Sequence, residues 1–224
     1  MNIFDLIGPV MVGPSSSHTA GAVRIGLVAR ALLADEPESA ELLLHGSFAA
    51  TGRGHGTDRA LIAGLLGMAP DDTRIPDSFA YAEKAGLRFS FGTTSLPDAH
   101  PNSVLLRLRS RAGREMRVVA ASVGGGRIEV RRIDDMTLRF TAEQPTLIVN
   151  NVDQPGTVAE VSRVLAEAGV NIATFQVNRD ERGGCAVMVI ECDAPLSEAL
   201  TERVRTLPGV LRAVSINCET SFHN

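Results

Sequence analysis

Leu147-Ile148-Val149-Asn150-Asn151-Val152-Asp153-Gln154-Pro155-Gly156 is the stretch on which the fold turns. Its first three residues are a short apolar run suited to a strand. Asp153-Gln154-Pro155-Gly156 is a turn, with proline set near a helix start. Behind it Val158, Val161, Leu165 and Ala168 recur at spacings of three and four, the stripe of an amphipathic helix that Gly169 ends. Strand signals follow at Asn171–Asn178 and Ala186–Glu191, parted by the turn Asp180-Glu181-Arg182-Gly183-Gly184. A second stripe (Leu196, Leu200, Val204) leads to a last strand, Val210–Asn217. The order βαββαβ is that of a split-βαβ, ferredoxin-like unit of about 75 residues.

The texture changes at Thr141-Ala142-Glu143-Gln144-Pro145-Thr146, which predicts two domains, residues 1–143 and 146–218. The upstream half is rich in Gly, His and Arg and reads as mixed α/β. Helices are expected at about 18–34 and 57–68, the latter opened by the N-cap chemistry of Thr57-Asp58. Strand-like runs occur at Glu41–His45, Leu87–Phe91, Val104–Arg109, Met116–Ser122, Arg127–Arg132 and Thr137–Phe140. Gly124-Gly125-Gly126 reads as the turn of a hairpin.

Composition excludes several function classes. Of 224 residues, 44% are hydrophobic and 21% charged, ordinary values for a globular chain. The formal charge is 22 − 26 = −4 and the basic residues form no run, so neither nucleic acid nor an anionic membrane is suggested as partner. One Tyr and no Trp leave little for stacking bases. No stretch approaches the roughly 20 apolar residues of a bilayer span. Met1-Asn2-Ile3-Phe4-Asp5-Leu6 lacks the basic start and apolar core of a signal peptide, so cytoplasm is the expected compartment. Three cysteines, an odd number, suit a reducing one.

Two polar clusters carry the chemistry. Gly13-Pro14-Ser15-Ser16-Ser17-His18-Thr19 gathers four hydroxyls and a histidine at the mouth of a helix, where first-turn N–H groups and the helix dipole favour an anion. From the residues alone, a plain helix cap, a Ser17–His18 nucleophile pair and an anion receptor all stand. The second cluster is His45-Gly46-Ser47 through Thr51-Gly52-Arg53-Gly54-His55-Gly56-Thr57-Asp58. Here glycine lets backbone N–H groups approach a ligand, Arg53 offers a charged fork and His55 a titratable group. The Gly-x-Gly-x-Gly spacing is not that of a dinucleotide fingerprint, and the Gly-Lys-Ser/Thr of a P-loop is missing. A tight turn with a cap is the bland alternative. His100-Pro101-Asn102 is a third polar loop, for which a turn suffices. Histidines 18, 45, 55 and 100 are scattered, and no Cys-x-x-Cys occurs. Cys185 and Cys192 flank one expected strand with their side chains on opposite faces, and with Cys218 they read as buried small hydrophobes. No metal site is expected in this chain.

These strings, in this order and over essentially the whole length, resemble the β subunit of the iron–sulfur-dependent bacterial L-serine dehydratases. The resemblance implies deamination of L-serine to pyruvate and ammonia, in amino-acid catabolism and gluconeogenesis. It implies a [4Fe–4S] cluster held by a partner α subunit, acting there as Lewis acid on the serine hydroxyl. It further implies an N-terminal domain similar to the allosteric substrate-binding domain of phosphoglycerate dehydrogenases and a C-terminal ACT domain. On this reading His18 and His55 are the catalytic candidates. Ser15, Ser16, Ser17, Thr19, His45, Gly46, Ser47, Thr51, Gly52, Arg53, Gly54, Thr57, Asp58 and Asn102 are the substrate-binding ones. The ACT loop Asn151, Asp153, Gln154, Pro155, Gly156, with Asn171, becomes a candidate effector site. Asp153 departs from the amide common there, and a carboxylate would repel a ligand carboxylate. Expected assembly is a homodimer through the ACT domain within an α/β hetero-oligomer. A non-catalytic serine-sensing subunit is the competing class, since a sensor needs binding groups alone.

Overall fold

The computed structural model describes residues 11–217, apart from the side chain of Arg53. Contacts divide the chain into two units at Asp134/Asp135.

The first unit is a sheet with helices on one face. A π-helical turn, Ser16–Ala20, runs straight into α1 (Gly21–Leu33), and β1 (Pro37–Leu44) follows. Three helices come next: α2 (Gly46–His55), α3 (Thr57–Leu65) and α4 (Ser78–Lys84), with a 3-10 turn at Ile75–Asp77. The strands β2 (Arg88–Thr93), β3 (Ser103–Ser110), β4 (Glu115–Gly124) and β5 (Arg127–Ile133) complete it. Their order is β2-β1-β3-β4-β5. The β1–β2 pair is parallel and requires the helical crossover, while β3, β4 and β5 add as antiparallel neighbours.

Alternation of apolar residues explains the layering. Val104, Leu106 and Leu108 of β3 are buried while Arg107 and Arg109 are exposed, so one face meets the helices and the other meets water. Ile25, Leu32, Leu61, Ile62 and Leu65 from α1 and α3 fill the space above, all at most 2% exposed. Buried or half-buried arginines close the helix ends: Arg114 Nη1 donates to Leu33 O at 3.0 Å, and Arg30 Nη1 to Leu65 O at 2.9 Å.

The second unit opens with β6 (Met136–Phe140), ahead of the textural seam at 141–146, and Gln176 Nε2 of the same unit donates to Arg139 O at 2.9 Å. Then come β7 (Thr146–Val152), α5 (Thr157–Glu167), β8 (Ile172–Arg179), β9 (Cys185–Cys192), α6 (Glu198–Arg205) and β10 (Val210–Ile216). The strand order is β10-β7-β9-β8, antiparallel throughout, the ferredoxin-like arrangement expected from βαββαβ. Leu147, Val149, Val161, Leu165, Met188 and Ile190 form its core. Ser197 caps α6, its hydroxyl accepting from Leu200 N at 3.2 Å.

Three expectations need correction. Residues 46–55 form a helix, not a glycine loop, and α4 gave no recognised signal. Thr57 is no N-cap: Gly56, at φ 72°, is the single break between α2 and α3, and the Thr57 hydroxyl lies buried inside the first turn without a partner. Cys192 is buried as expected, whereas Cys185 on the opposite face is exposed, because β9 starts at a surface turn. Cys218 lies outside the described residues.

Candidate active site

The Ser15–Thr19 segment caps a helix and does more. Ser15 is extended (φ −142°, ψ 125°); its hydroxyl accepts the His18 N–H at 3.2 Å and its carbonyl accepts from Thr19 N at 2.8 Å. The turn that follows is wide, with Gly21 N bonded to Ser16 O, a π-turn of the kind that re-aims side chains at functional sites. It directs the His18 ring toward α2. Ser17 does not pair with His18. The hydroxyl beside Nδ1 is that of Ser15, at 3.4 Å, so a Ser17–His18 nucleophile pair has no geometric support.

On α2, Ser47, Thr51 and His55 stand at i, i+4 and i+8, one turn apart on one face. His18 Nε2 lies 3.1 Å from Thr51 Oγ1 and 3.4 Å from Ser47 Oγ. The network fixes protons. Thr51 O–H donates to Ser47 O at 2.9 Å, so its oxygen is left to accept from His18 Nε2–H. The His18 Nδ1 lone pair then faces the Ser15 hydroxyl. His55 Nδ1 sits 3.0 Å from Thr51 O, which only accepts; Nδ1 therefore carries the proton and Nε2 keeps a lone pair.

The two imidazoles are neighbours, centroids 4.9 Å apart, and the buried Phe48 closes the other side of His18 edge-on at 5.3 Å. Burial lowers the His18 pKa below its ordinary value, and repulsion from His55 lowers it further; the Ser47 main chain partly opposes both. His18 is thus held neutral near pH 7.

Other candidate residues take different places. The N-terminus of α2 is filled by the Pro101 carbonyl, which accepts from Ser47 N at 2.8 Å. The His100–Asn102 loop therefore caps this helix, and Gly52 and Gly54 lie inside it, where their amides belong to the helix rather than to an open cradle. Asn102 joins through its backbone, donating to His100 Nδ1 at 3.1 Å and accepting from Ser122 N at 3.0 Å. His45 Nδ1 accepts from Leu96 N at 3.2 Å, which anchors the 94–96 segment and sets this ring apart from the His18 network. Arg53 lies on α2, and its side chain is outside the described residues.

Beside His55 opens a cavity of about 390 Å³. Gly13, Pro14 and Thr19 form one wall, Gly54, His55, Asp58 and Arg59 a second, and Ile75, Pro76 and Phe79 an apolar third. Four of these, Arg59, Ile75, Pro76 and Phe79, escaped sequence reasoning, and Arg59 is the charged one. The Arg59 guanidinium lies over the Phe79 ring at 5.8 Å. For Arg59 the usable signal was its position in the first turn of α3, directly after Thr57-Asp58.

In the second unit Asp153 and Asn171 of the candidate effector loop are paired within the unit. Asp153 Oδ2 accepts from Arg179 Nη1 at 3.1 Å and from Gly183 N at 3.0 Å, and both hold the carboxyl below the usual range, Gly183 more strongly. Asn171 Nδ2 donates to Asp193. Asn151 is buried, its Nδ2 donating to Val152 O at 2.8 Å, and Gln154 packs over Gly209. Pro155 and Gly156 lead into α5 as expected.

Residues 2–85 match the model of the serine dehydratase beta chain and residues 145–215 that of the ACT domain. A probable L-serine dehydratase beta chain of Bacillus subtilis is 39% identical over 96% of this chain and 97% of its own length. The L-serine dehydratase beta chain of Peptoniphilus asaccharolyticus is 41% identical over 90% and 91%. A D-3-phosphoglycerate dehydrogenase of Bacillus subtilis is 23% identical over 154 residues, 68% of this chain. That stretch exceeds the ACT domain, so the likeness reaches into the N-terminal α/β unit. No helix among the described residues is long and apolar enough to cross a membrane. With near full-length matches at about two residues in five, the chain belongs to the serine dehydratase beta-chain family.

Proposed function

We propose that this chain is the β subunit of an L-serine ammonia-lyase and supplies the proton-handling half of its active site. The observation that carries this reading is the His18–His55 pair: a neutral imidazole locked at both nitrogens, 4.9 Å from one whose Nε2 is open beside a cavity. His55 Nε2 is the general base that takes the α-proton of serine, and Thr51 O holds its other nitrogen in the right tautomer. His18 positions the pair. Protonating His55 creates a cation, and a neutral neighbour makes that step less costly than a second cation would.

The described residues do not fit an iron–sulfur cluster. Cys185 and Cys192 leave β9 on opposite faces, and no three His, Cys, Asp or Glu side chains converge. The cluster of this reading is therefore assigned to a partner α chain. Homodimerisation is assigned to the ACT unit, where β8 is an edge strand and Val177 and Leu211 are exposed.

The test is anaerobic reconstitution with a cluster-bearing α chain, reading pyruvate from L-serine. Turnover by the complex, lost in His55→Gln while the complex still forms, is the expected result. A loaded cluster and a formed complex with no pyruvate would leave the sensor reading in its place.

A further inference from the structure

Helix α2 is held in place by little. Of its described side chains Phe48 is buried, as is the backbone at Gly52, while Ala49, Ala50, Thr51 and Gly54 are exposed. In α3, directly after it, Ala60, Leu61, Ile62, Ala63 and Leu65 are all fully buried. Most helical stability comes from such packing, so the two neighbours differ in what keeps them folded. The N-terminus of α2 is closed from outside, by Ser47 N donating to Pro101 O at 2.8 Å. On its exposed side Thr51 O–H bonds back to Ser47 O at 2.9 Å, a pairing that slightly loosens a helix.

The glycines of α2 divide by cause. A Cβ at Gly46, where φ is 55°, would stand 2.6 Å from Pro101 O, and one at Gly52 would stand 3.3 Å from Thr57 Cβ. Close packing accounts for both. At Gly54 a Cβ would meet nothing within 4 Å, and the position is exposed. No contact in the fold requires glycine there, yet glycine in place of alanine favours the open helix by about two- to fivefold. Gly46 and Gly56, at φ 55° and 72°, bound the segment with two residues that change backbone region without a Cβ penalty.

The imidazole pair depends on this helix. His55 is its last residue, and His18 reaches it through Nε2, 3.1 Å from Thr51 Oγ1. We propose that α2 is a gate: the segment between Gly46 and Gly56 opens by local unfolding, parting His18 from His55, and closes to restore their contact. The device goes beyond the lyase reading, since it holds for whatever reaction the pair serves. Gly54 keeps the open state within reach.

Native-state hydrogen exchange of the full chain tests it. Amides of Thr51 to His55 should exchange at least about tenfold faster than those of Ile62 to Leu65, through an opening less sensitive to added urea, because a local opening exposes less surface. Gly54→Ala, which meets no steric barrier, should raise the protection of the α2 amides about two- to fivefold. Acylation of His18 by diethyl pyrocarbonate at Nε2 requires that nitrogen to leave Thr51, so it should slow by the same factor while His100 reacts as before. Exchange of α2 and α3 together, with equal urea dependence, would overturn the gate. So would unchanged α2 protection in Gly54→Ala. Slower exchange with unaltered His18 acylation would overturn it too, because the helix would then open without parting the pair.

Discussion

Gly26 of α1 and Gly64 of α3 face each other so closely that a Cβ on either would lie 2.8 Å from the other's Cα. Backbone contact between these helices sets the distance between their N-terminal ends. One end carries Ser15, His18 and Thr19, and the other carries Asp58 and Arg59, so the crossing fixes the span of the site.

Gly64→Ala puts a methyl 2.1 Å from the Val23 carbonyl, which is backbone and cannot swing aside. The gain in helix propensity is at most about 1 kcal/mol, whereas overpacking costs about 1–3 kcal/mol or more. Net destabilisation is expected in urea unfolding, together with weaker L-serine binding from the displaced α3. Equal or greater stability in this variant would contradict the close crossing.

The His18–His55 contact makes a pH prediction. Below pH 6.5, the ordinary value, the unfolded chain binds a proton that native His18 still refuses, because burial and His55 depress it. The unfolded state then holds more protons, so stability falls as pH falls through that window and levels off below the native pKa. NMR titration should find His18 titrating below 6.5 and moving upward in His55→Asn, yet staying depressed because burial remains. A His18 resonance indifferent to that substitution would remove the coupling.

Asp153 is already satisfied within its own domain by Gly183 N–H and Arg179. Amino-acid titration of the full chain should therefore give the same L-serine binding isotherm in Asp153→Asn as in the parent chain. A second L-serine site that vanishes in Asp153→Asn would show instead that the ACT loop opens to ligand.

The two β9 cysteines should differ sharply toward an alkylating reagent. Cys192 is buried and its thiol is pushed up to about 11, by desolvation first and Asp193 second, whereas Cys185 is exposed. Since the thiolate is the reacting form, peptide mapping after brief native treatment should find Cys185 modified and Cys192 intact. Comparable labelling of both would mean that β9 frays.

Legibility tracked the locality of the signal. The βαββαβ unit could be read because each element carries its own period and turn chemistry: Val161 and Leu165 on one helix stripe, Asp180 to Gly184 between two strands. Helix α2 could not, because Gly46, Gly52 and Gly54 are poor helix formers and the segment imitates a loop. The i, i+4, i+8 spacing of Ser47, Thr51 and His55 was present, but it gains meaning only once Pro101 caps the helix and His18 lies across it.

The two fold classes, the polar residue types at the helix mouths and the lack of a cysteine motif are all readable from local composition and spacing. Which of those residues meet is set by the packing of the folded chain. His18 joins Thr51 and His55, while His45 and His100 serve the backbone, and Arg59 and Thr19 line one cavity with Asp58. The physical reason is that side chains distant in sequence converge only through packing, here through two glycines that bring α1 and α3 into backbone contact.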